Sequence, residues 1–449
     1  MFNKSRNTLP ERGAEGLTLI GIDIGTSRLR IIAGTVDDDG LVQVSYYDEV
    51  PSRGMVCGAV GDMFALSDAL AVLLQNFQEK TGLRPEHCLV GVAGRHIISA
   101  NEKGLATVQN RTVSAADRRH CVESARSVKS MSDGYDIVHV VPQYFVCDGV
   151  SQIMNPIGLS AMRVEAVVHV VSCKSDHARN LRAVLQRVSP EAAIDRFAFN
   201  GIAAADAVLS NDEKNIGVCL IDYGAGTVNV AVYENQHLIL TFGLARGGEN
   251  ITRRIATKWG LPMATAEQIK YVCGVSGASG LTGSDYRMGE EDKKFSVKYM
   301  LPDGSEQRVL LEREQVAETI ATELKDVFNS VSDYIERAIR EMNTTINLGA
   351  GFVITGGVAR TEGIEQVASL ALSPNRYTPV KVKVASPCRV KWEDGGQPRG
   401  PESAVAVGLL RFGRADIDER LQSQPEVQSS GSGVGGFLRM VRDWFNKEL

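Results

Sequence analysis

The residues best suited to chemistry lie in a short hairpin around Asp222. The segment from Val218 to Tyr233 reads VCLIDYGAGTVNVAVY, an apolar strand ending in one carboxylate, a glycine turn and a second strand. Glycines let a backbone approach a ligand closely or adopt positive φ, and turn N–H groups with a hydroxyl can surround an anionic oxygen. Taken on its own, this segment is better explained as an ordinary β-hairpin with a glycine turn. The candidate phosphate-binding residues here are Asp222, Gly224, Ala225, Gly226 and Thr227.

A second copy of the pattern occurs near the start of the chain. Leu19 to Ala33 reads LIGIDIGTSRLRIIA, again an apolar strand, an acid, a glycine, hydroxyls and a returning strand. Two such hairpins predict two related halves that face one another across a cleft and clasp a phosphate chain. Asp23 and Asp222 would then hold a hydrated Mg²⁺ through water. The candidate residues of this turn are Asp23, Gly25, Thr26 and Ser27.

Three further stretches are typical of a nucleoside site. A strand runs into the di-glycine Gly356-Gly357, whose backbone can lie flat against a base or sugar, although such a turn is weak evidence alone. The segment 247–250 contributes Gly247, Gly248 and Asn250, with Asn250 predicted as a helix N-cap. Glu267 and Lys270 lie three residues apart on one face of the next predicted helix. They are either a surface ion pair worth at most about 1 kcal/mol or a pair beside the nucleoside.

Length and composition set the class of protein. A chain of 449 residues exceeds one hydrophobic core, so at least two domains are expected. The formal net charge of -5, without basic clusters, argues against nucleic acid as a partner. Eight scattered cysteines without CxxC pairs predict reduced, mostly buried thiols. The histidine spacing predicts no zinc, and neither a signal peptide nor an 18-residue apolar span is expected.

The pattern of apolar residues predicts an α/β protein. Helical spacing covers 64–81, 114–129, 176–188, 197–209, 264–273, 314–344 and 402–412, with strands between them. The segment 94–163 reads as a small α+β insert. Asn200 falls near the start of the helix predicted at 197–209. The segment 414–436 has the composition of a flexible linker.

The last thirteen residues form a predicted amphipathic helix. Docking of this helix back onto the protein, or into a partner's groove, would satisfy its apolar face. A membrane-surface anchor is favoured, since Trp444 suits the interface and many copies in one assembly would bind strongly through effective concentration. The apolar face comprises Phe437, Leu438, Met440, Val441, Trp444 and Phe445.

These features together resemble the actin/Hsp70/sugar-kinase superfamily. Within it, four motifs and the terminal helix are similar to the FtsA family of bacterial cell-division proteins, over nearly the whole chain. The motifs are VHVVPQ at 138–143, NPIGL at 155–159, GGENIT at 247–252 and SAVAVG at 403–408.

The resemblance implies an actin-like two-domain ATPase fold in which a subdomain called 1C replaces the usual 1B. It implies binding of ATP with Mg²⁺, filament formation through 1C, and tethering of the tubulin-like protein FtsZ to the cytoplasmic face of the inner membrane at the division site. The tail of FtsZ is expected on subdomain 2B, where Arg313 matches a family arginine, although a solvated helix-entry arginine fits nearly as well. Later division proteins are further expected partners.

The implied division of the chain has ten parts. They are a flexible arm at 1–18, subdomain 1A at 19–93 and 164–203, 1C at 94–163, 2A at 204–246 and 348–390, 2B at 247–347, a closing helix region at 391–413, the linker at 414–436 and the amphipathic helix at 437–449.

ATP binding is predicted more firmly than hydrolysis. Asn200 occupies the position at which an actin-type site orients the attacking water, and an amide is a poor general base. Two alternatives stay open at this point: a PilM-like protein of pilus assembly machinery, and a sugar-kinase-type phosphotransferase. The terminal helix argues against both, because neither needs a lipid-binding tail.

Overall fold

The computed structural model describes residues 17–129, 134–275, 293–300, 304–374, 378–393 and 399–423. The predicted arm up to residue 16, the predicted linker beyond residue 423 and the predicted amphipathic helix lie outside the described residues.

The described chain alternates strands and helices. The helices are α1 (Met63–Thr81), α2 (Ala115–Lys129), α3 (Ser175–Val188), α4 (Asn200–Val208), α5 (Asn211–Ile216), α6 (Gly248–Trp259), α7 (Met263–Cys273), α8 (Arg313–Met342), α9 (Ile364–Ala371) and α10 (Ala404–Ser423). The strands are β1 (Leu19–Ile24), β2 (Arg28–Val36), β3 (Val42–Pro51), β4 (Met55–Val56), β5 (Ala59–Val60), β6 (His87–Val92), β7 (Ile97–Thr107), β8 (Tyr135–Cys147), β9 (Val150–Ile153), β10 (Arg163–Lys174), β11 (Ala193–Phe199), β12 (Val218–Tyr223), β13 (Val228–Glu234), β14 (His237–Leu244), β15 (Lys294–Met300), β16 (Glu306–Glu312), β17 (Gly351–Thr355), β18 (Val382–Val384) and β19 (Val390–Trp392).

Two mixed sheets repeat the same local plan. The first has the order β11-β6-β1-β2-β3-β19 and the second has the order β14-β13-β12-β17-β18. In each sheet, the strand that carries the predicted aspartate pairs antiparallel with the next strand and parallel with a later one. Strand β1 pairs in this way with β2 and β6, and β12 pairs in this way with β13 and β17. The structure therefore contains the two related halves that the repeated hairpin predicts.

Helices α4 and α10 pack on one another and on the two sheets. Helix α10 contacts β1, β2 and β6 of the first sheet, whereas α4 contacts β12 and β13 of the second. The crossing is close because Gly408 of α10 lies directly against the backbone of Ala203 in α4. One buried apolar cluster joins both helices, the first sheet and residues such as Leu220 of β12.

The insert forms its own sheet, of order β7-β10-β8-β9, with α2 packed against β7 and β10. Ser114 caps α2 as predicted, since the Asp117 N–H donates to Ser114 Oγ at 3.2 Å and the Ser114 N–H donates to Asp117 Oδ2 at 2.9 Å. The predicted insert ended at residue 163, which was too early. Strand β10 pairs with β7 and β8 along its length, so the insert sheet continues to Lys174.

Two predicted element boundaries were wrong for tertiary reasons. The helix expected at 197–209 begins at Asn200, because the preceding residues are the end of β11 and pair with β6. The linker expected from residue 414 is wrong over residues 414–423, because α10 continues to Ser423. Ion pairs with the first domain hold this extension, including Arg196 with Asp416 at 2.8 Å.

Replacing Gly408 by Ala should destabilise the fold. A Cβ on Gly408 would lie 1.8 Å from the Ala203 carbonyl oxygen, so α4 and α10 would have to separate, at a cost of about 1–3 kcal/mol. Urea unfolding of the nucleotide-free chain measures the loss. The matched variant Gly357→Ala adds the same methyl where nothing lies within 4 Å, and should change stability by less than about 1 kcal/mol. Equal midpoints for the two variants would contradict the close crossing.

Candidate functional site

The turns of the two aspartate hairpins meet. A Cβ on Gly226 would lie 2.4 Å from Thr26 Oγ1, so the turn between β12 and β13 touches the turn between β1 and β2. The Gly58 N–H donates to the same hydroxyl oxygen at 3.4 Å. Neither Gly224 nor Gly226 adopts positive φ, so these glycines serve close approach rather than an unusual backbone conformation. The two predicted turns therefore face one another at contact distance, and their role in clasping phosphate stays a prediction.

Asp222 is buried at the end of β12, with 5% of its surface exposed. Asn229 Nδ2 donates to its Oδ2 at 3.0 Å. Burial, together with the negative charge of Asp23, raises the pKa of Asp222 to about 7 against the opposing Asn229 hydrogen bond. These surroundings therefore favour the protonated form of this carboxyl.

Asp23 is equally buried but has a cationic partner. Arg30 Nη1 donates to Asp23 Oδ2 at 3.1 Å, and Arg30 Nε donates to Glu49 Oε2 at 3.1 Å. Burial raises the pKa of Asp23, and the Arg30 charge opposes that rise. Sequence reasoning did not select Arg30. The available signal was the hairpin register, which places Arg30 directly across from Asp23.

Asn200 is the first residue of α4, and its side chain faces Asp23. Its side chain is 7% exposed, and its Oδ1 has no hydrogen-bond partner among the described residues. The amide lies within hydrogen-bonding reach of Asp23, whose pKa it lowers. A Cβ on Gly91 would lie 2.4 Å from Asn200 Oδ1, so a side chain at Gly91 would displace this amide. The Asn200 oxygen beside Asp23 can accept a hydrogen bond from water, and the role of this residue in orienting an attacking water stays a prediction.

The N-terminus of α6 closes over the second turn. The Gly248 N–H donates to the Gly224 carbonyl at 3.0 Å, and the Glu249 N–H donates to the Ala225 carbonyl at 2.8 Å. Asn250 is not the N-cap as predicted, because α6 begins earlier. Asn250 occupies the third position of the helix, and its Oδ1 accepts the Gly247 N–H at 3.1 Å.

Lys270 is buried beside this turn and pairs with the partly exposed Glu267, so the pair is not an ordinary surface ion pair. Lys270 is 3% exposed, and its Nζ donates to both carboxylate oxygens of Glu267 at 2.7 Å. It also donates to Thr252 Oγ1 at 3.1 Å and to the Gly248 carbonyl at 3.4 Å. Burial lowers the pKa of Lys270, and the Glu267 charge opposes that shift.

The di-glycine completes the cleft. Gly356 has φ of 88°, and a Cβ there would lie 2.7 Å from Asp222 Oδ1. Nothing lies within 4 Å of a Cβ built on Gly357, so this backbone faces open space. The structure therefore brings the two aspartate hairpins and the di-glycine turn together around Asp222.

The other predicted site residues lie elsewhere. Arg313 is the first residue of α8, and its guanidinium lies 5.3 Å from the ring centre of Phe295 in the hairpin β15–β16. The six predicted membrane-facing residues, from Phe437 to Phe445, lie outside the described residues. None of the described helices is long and apolar enough to cross a membrane.

The donor set of the cleft fits a hydrated divalent cation. Within the described ranges, no group of three or more His, Cys, Asp or Glu side chains is placed to hold a metal. Two buried carboxyls with raised pKa values remain, and a cation would relieve the cost of burying their charge. Mg²⁺ usually keeps several waters and binds one or two carboxylates together with phosphate.

Comparisons with solved structures place the fold. The PilM–PilN type IV pilus biogenesis complex has a chain with a TM-score of 0.58, 14% identity and coverage of 88% of this chain and 98% of that one. MreB5 of Spiroplasma citri bound to ADP matches with a TM-score of 0.51, 13% identity and coverage of 91% and 100%. The two-domain fold, with its cleft between paired hairpins, is that of an actin-like protein.

Comparisons of sequence give the family. The family model for cell division protein FtsA matches residues 219–408, the SHS2 domain inserted in FtsA matches 94–172, and the type IV pilus assembly protein PilM matches 142–276. FtsA of Escherichia coli K12 is 30% identical over 433 residues, covering 96% of this chain and 98% of its own length. FtsA of Bacillus subtilis is 30% identical over 395 residues, covering 88% and 82%. The chain belongs to the FtsA family of cell-division proteins, and the predicted resemblance is confirmed.

Asp222 should make stability depend on pH. Burial raises its pKa from 3.8 to about 7, so the folded, nucleotide-free chain retains a proton that the unfolded chain releases. Stability should therefore fall as pH rises from about 4 to about 7, with a slope of about 1.4 kcal/mol per pH unit for one proton. Asp222→Asn should remove this slope in urea unfolding, whereas Asp212→Asn at an exposed position should leave it. An unchanged slope in Asp222→Asn would contradict the assignment.

Proposed function

We propose that this protein binds ATP with Mg²⁺ in the cleft, assembles through its insert and tethers a division filament to the inner membrane. The proposed binding of ATP rests chiefly on the contact of the two glycine turns beside Asp23 and Asp222. The related fold of MreB5, whose solved structures hold ADP or AMPPNP, supports the same ligand class.

Each part of the cleft has a proposed role. The turn residues 25–27 and 224–227 surround the phosphates, and Asp23 and Asp222 hold Mg²⁺ through water. Lys270 and Glu267 lie beside the sugar, because they contact the start of α6. Gly356 and Gly357 leave room for the base or sugar. Asn200 orients water, and hydrolysis is slow because an amide is a poor general base.

Self-association through the insert is supported by its exposed apolar side chains. These side chains surround β9 and the NPIGL element, and large apolar groups clustered on a surface mark interaction sites. The exposed residues are Val150, Met154, Ile157, Leu159 and Met162. We assign this insert, residues 94–174, as subdomain 1C.

The tethering function is proposed from two regions of the chain, the terminal segment 437–449 and the region around Arg313. The amphipathic segment 437–449 would insert its apolar face into the inner leaflet, which places the protein at the cytoplasmic face of the inner membrane. The FtsZ tail would bind subdomain 2B around Arg313, at the junction of the β15–β16 hairpin with α8. Later division proteins would join this assembly.

A PilM-like role is the second candidate, because a PilM family model matches residues 142–276 and the PilM–PilN complex shares the fold. Such a protein would bind a partner peptide and would have no use for a lipid-binding tail. Membrane binding by the terminal helix therefore separates the two candidates.

Gly357→Leu should weaken nucleotide binding without disturbing the fold. A side chain at this position projects into open space, which we propose the nucleoside fills. Titration with a fluorescent ATP analogue and Mg²⁺ should show at least a tenfold loss of affinity, about 1.4 kcal/mol. Thermal unfolding without nucleotide serves as the control and should match the wild type. Wild-type affinity in this variant would place the nucleoside elsewhere.

Flotation with vesicles of anionic and zwitterionic phospholipid tests the tether. The full chain with Mg²⁺ and ATP should float, and deletion of 437–449 should abolish flotation. Trp444→Glu adds a charge to the apolar face and should weaken binding, whereas Asn446→Glu adds the same charge to the polar face and should not. An FtsZ tail peptide should float only with the full chain. Equal flotation of the Trp444 and Asn446 variants would argue against insertion of the predicted face.

A further inference from the structure

The side chain of Asn229 connects the cleft to the start of the insert. It lies on β13, where its Cα partners are Asp222 on β12 and Gly243 on β14. The side chain is 1% exposed. Its Nδ2 donates to Asp222 Oδ2 at 3.0 Å, and its Oδ1 accepts the Gly94 N–H at 2.9 Å. Both ends of the amide are therefore committed, one to the cleft and one to the backbone.

Gly94 is the residue at which the insert begins. It follows β6 and opens a short 3₁₀ turn that leads into β7, with φ of 82°. A Cβ there would lie 2.9 Å from Thr227 Cγ2 and 3.2 Å from the Cys57 carbonyl oxygen. A Cβ on Gly243 would lie 2.2 Å from the Gly94 carbonyl oxygen. The start of the insert is thus packed closely between the turn that carries Thr227 and β14.

The insert is fastened along the same strand, β14. Polar side chains of its sheet bond to the backbone or hydroxyl groups of β14 and together form a seam that is buried around Gln143 and His169 and exposed at Asn101. The bonds are Ser99 Oγ to the Thr241 carbonyl at 2.7 Å, Asn101 Nδ2 to the Ile239 carbonyl at 3.1 Å, Gln143 Nε2 to the Leu238 carbonyl at 2.6 Å, and His169 Nε2 with Thr241 Oγ1 at 2.9 Å.

The amide of Asn229 has two ends that are not interchangeable. Its NH₂ group needs an acceptor, which Asp222 supplies, and its oxygen needs a donor, which Gly94 supplies. Water bound to a cation would donate to the Asp222 carboxylate and compete for the oxygen that Asn229 uses. A shift of the amide would then be felt at Gly94, because this bond lies in a close-packed interior that transmits strain.

We propose that Asn229 is a positioning residue that couples occupation of the cleft to the seating of the insert on β14. The inference rests on the proposed binding of Mg²⁺ and ATP in that cleft. Because coupling between sites is reciprocal, a second copy of the chain that engages the insert would change nucleotide affinity by the same factor. The insert would then report the state of the cleft to the assembly.

Hydrogen–deuterium exchange of the full-length chain tests this coupling. The amides of Ile97–Thr107 are followed with and without Mg²⁺ and ATP, and the nucleotide dissociation constant is measured in parallel. In the wild type, nucleotide should change the exchange rate of these amides at least fivefold, the lower end of typical allosteric coupling. In Asn229→Ser the hydroxyl is too short to reach both Asp222 and Gly94, so the nucleotide-dependent change should disappear.

The control variant Asn101→Ala removes a seam contact outside the cleft. It should speed exchange equally with and without nucleotide, so that the nucleotide-induced ratio stays as in the wild type. If Asn229→Ser does not fold by circular dichroism, Asn229→Leu replaces it, because leucine has a similar shape without either hydrogen-bonding group.

Each outcome has one meaning. A wild type that fails to bind ATP overturns the proposed function, and this inference with it. A wild type that binds ATP without any change in exchange of Ile97–Thr107 overturns the coupling alone. A nucleotide-dependent change that persists in the Asn229 variant shows that another route carries it.

Discussion

The structure depends on burying two carboxyl groups, Asp23 and Asp222, close to one another. A buried charge is costly unless it is paired or hydrogen-bonded, and two like charges raise the cost further. The protein compensates the two groups differently. Asp23 has the guanidinium of Arg30 at 3.1 Å, whereas Asp222 has the neutral amide of Asn229 and a pKa raised to about 7. Arg30 thus compensates the charge of one carboxyl, and the raised pKa of the other favours its neutral form.

The close approach of these groups is set far from the cleft. Each aspartate ends a strand of a different sheet, so the distance between them follows from how the sheets are joined. Helices α4 and α10 make that junction, and Gly408 lets their backbones meet. Gly226 has the same role at the turns, where the absence of a side chain leaves room for Thr26. Small residues at both levels allow the two halves to face one another at contact distance.

The sequence was sufficient to predict what depends on local pattern. The paired hairpins, the capping of α2 by Ser114 and the di-glycine turn were predictable because each is encoded within about fifteen residues. Contacts between distant segments were not. The roles of Arg30 and Asn229 and the burial of Lys270 follow from strand register and helix packing. Helix α10 continues past residue 413 because its Asp416 pairs with Arg196 and its Arg414 donates to the Val36 carbonyl of β2. The sheet of the insert likewise takes in β10 through pairing that no local pattern specifies.

The asymmetry of the two carboxyls bears on how such a cleft can switch. Two ionised, unpaired carboxylates buried together would carry a large desolvation cost. Arg30 compensates the charge of Asp23, and the raised pKa of Asp222 favours the neutral form of the other carboxyl. In the proposed coupling, a hydrated cation would favour the ionised form of Asp222 and change its hydrogen bond with Asn229. Because the same amide accepts the Gly94 N–H, this change would be felt at the point where the insert is attached.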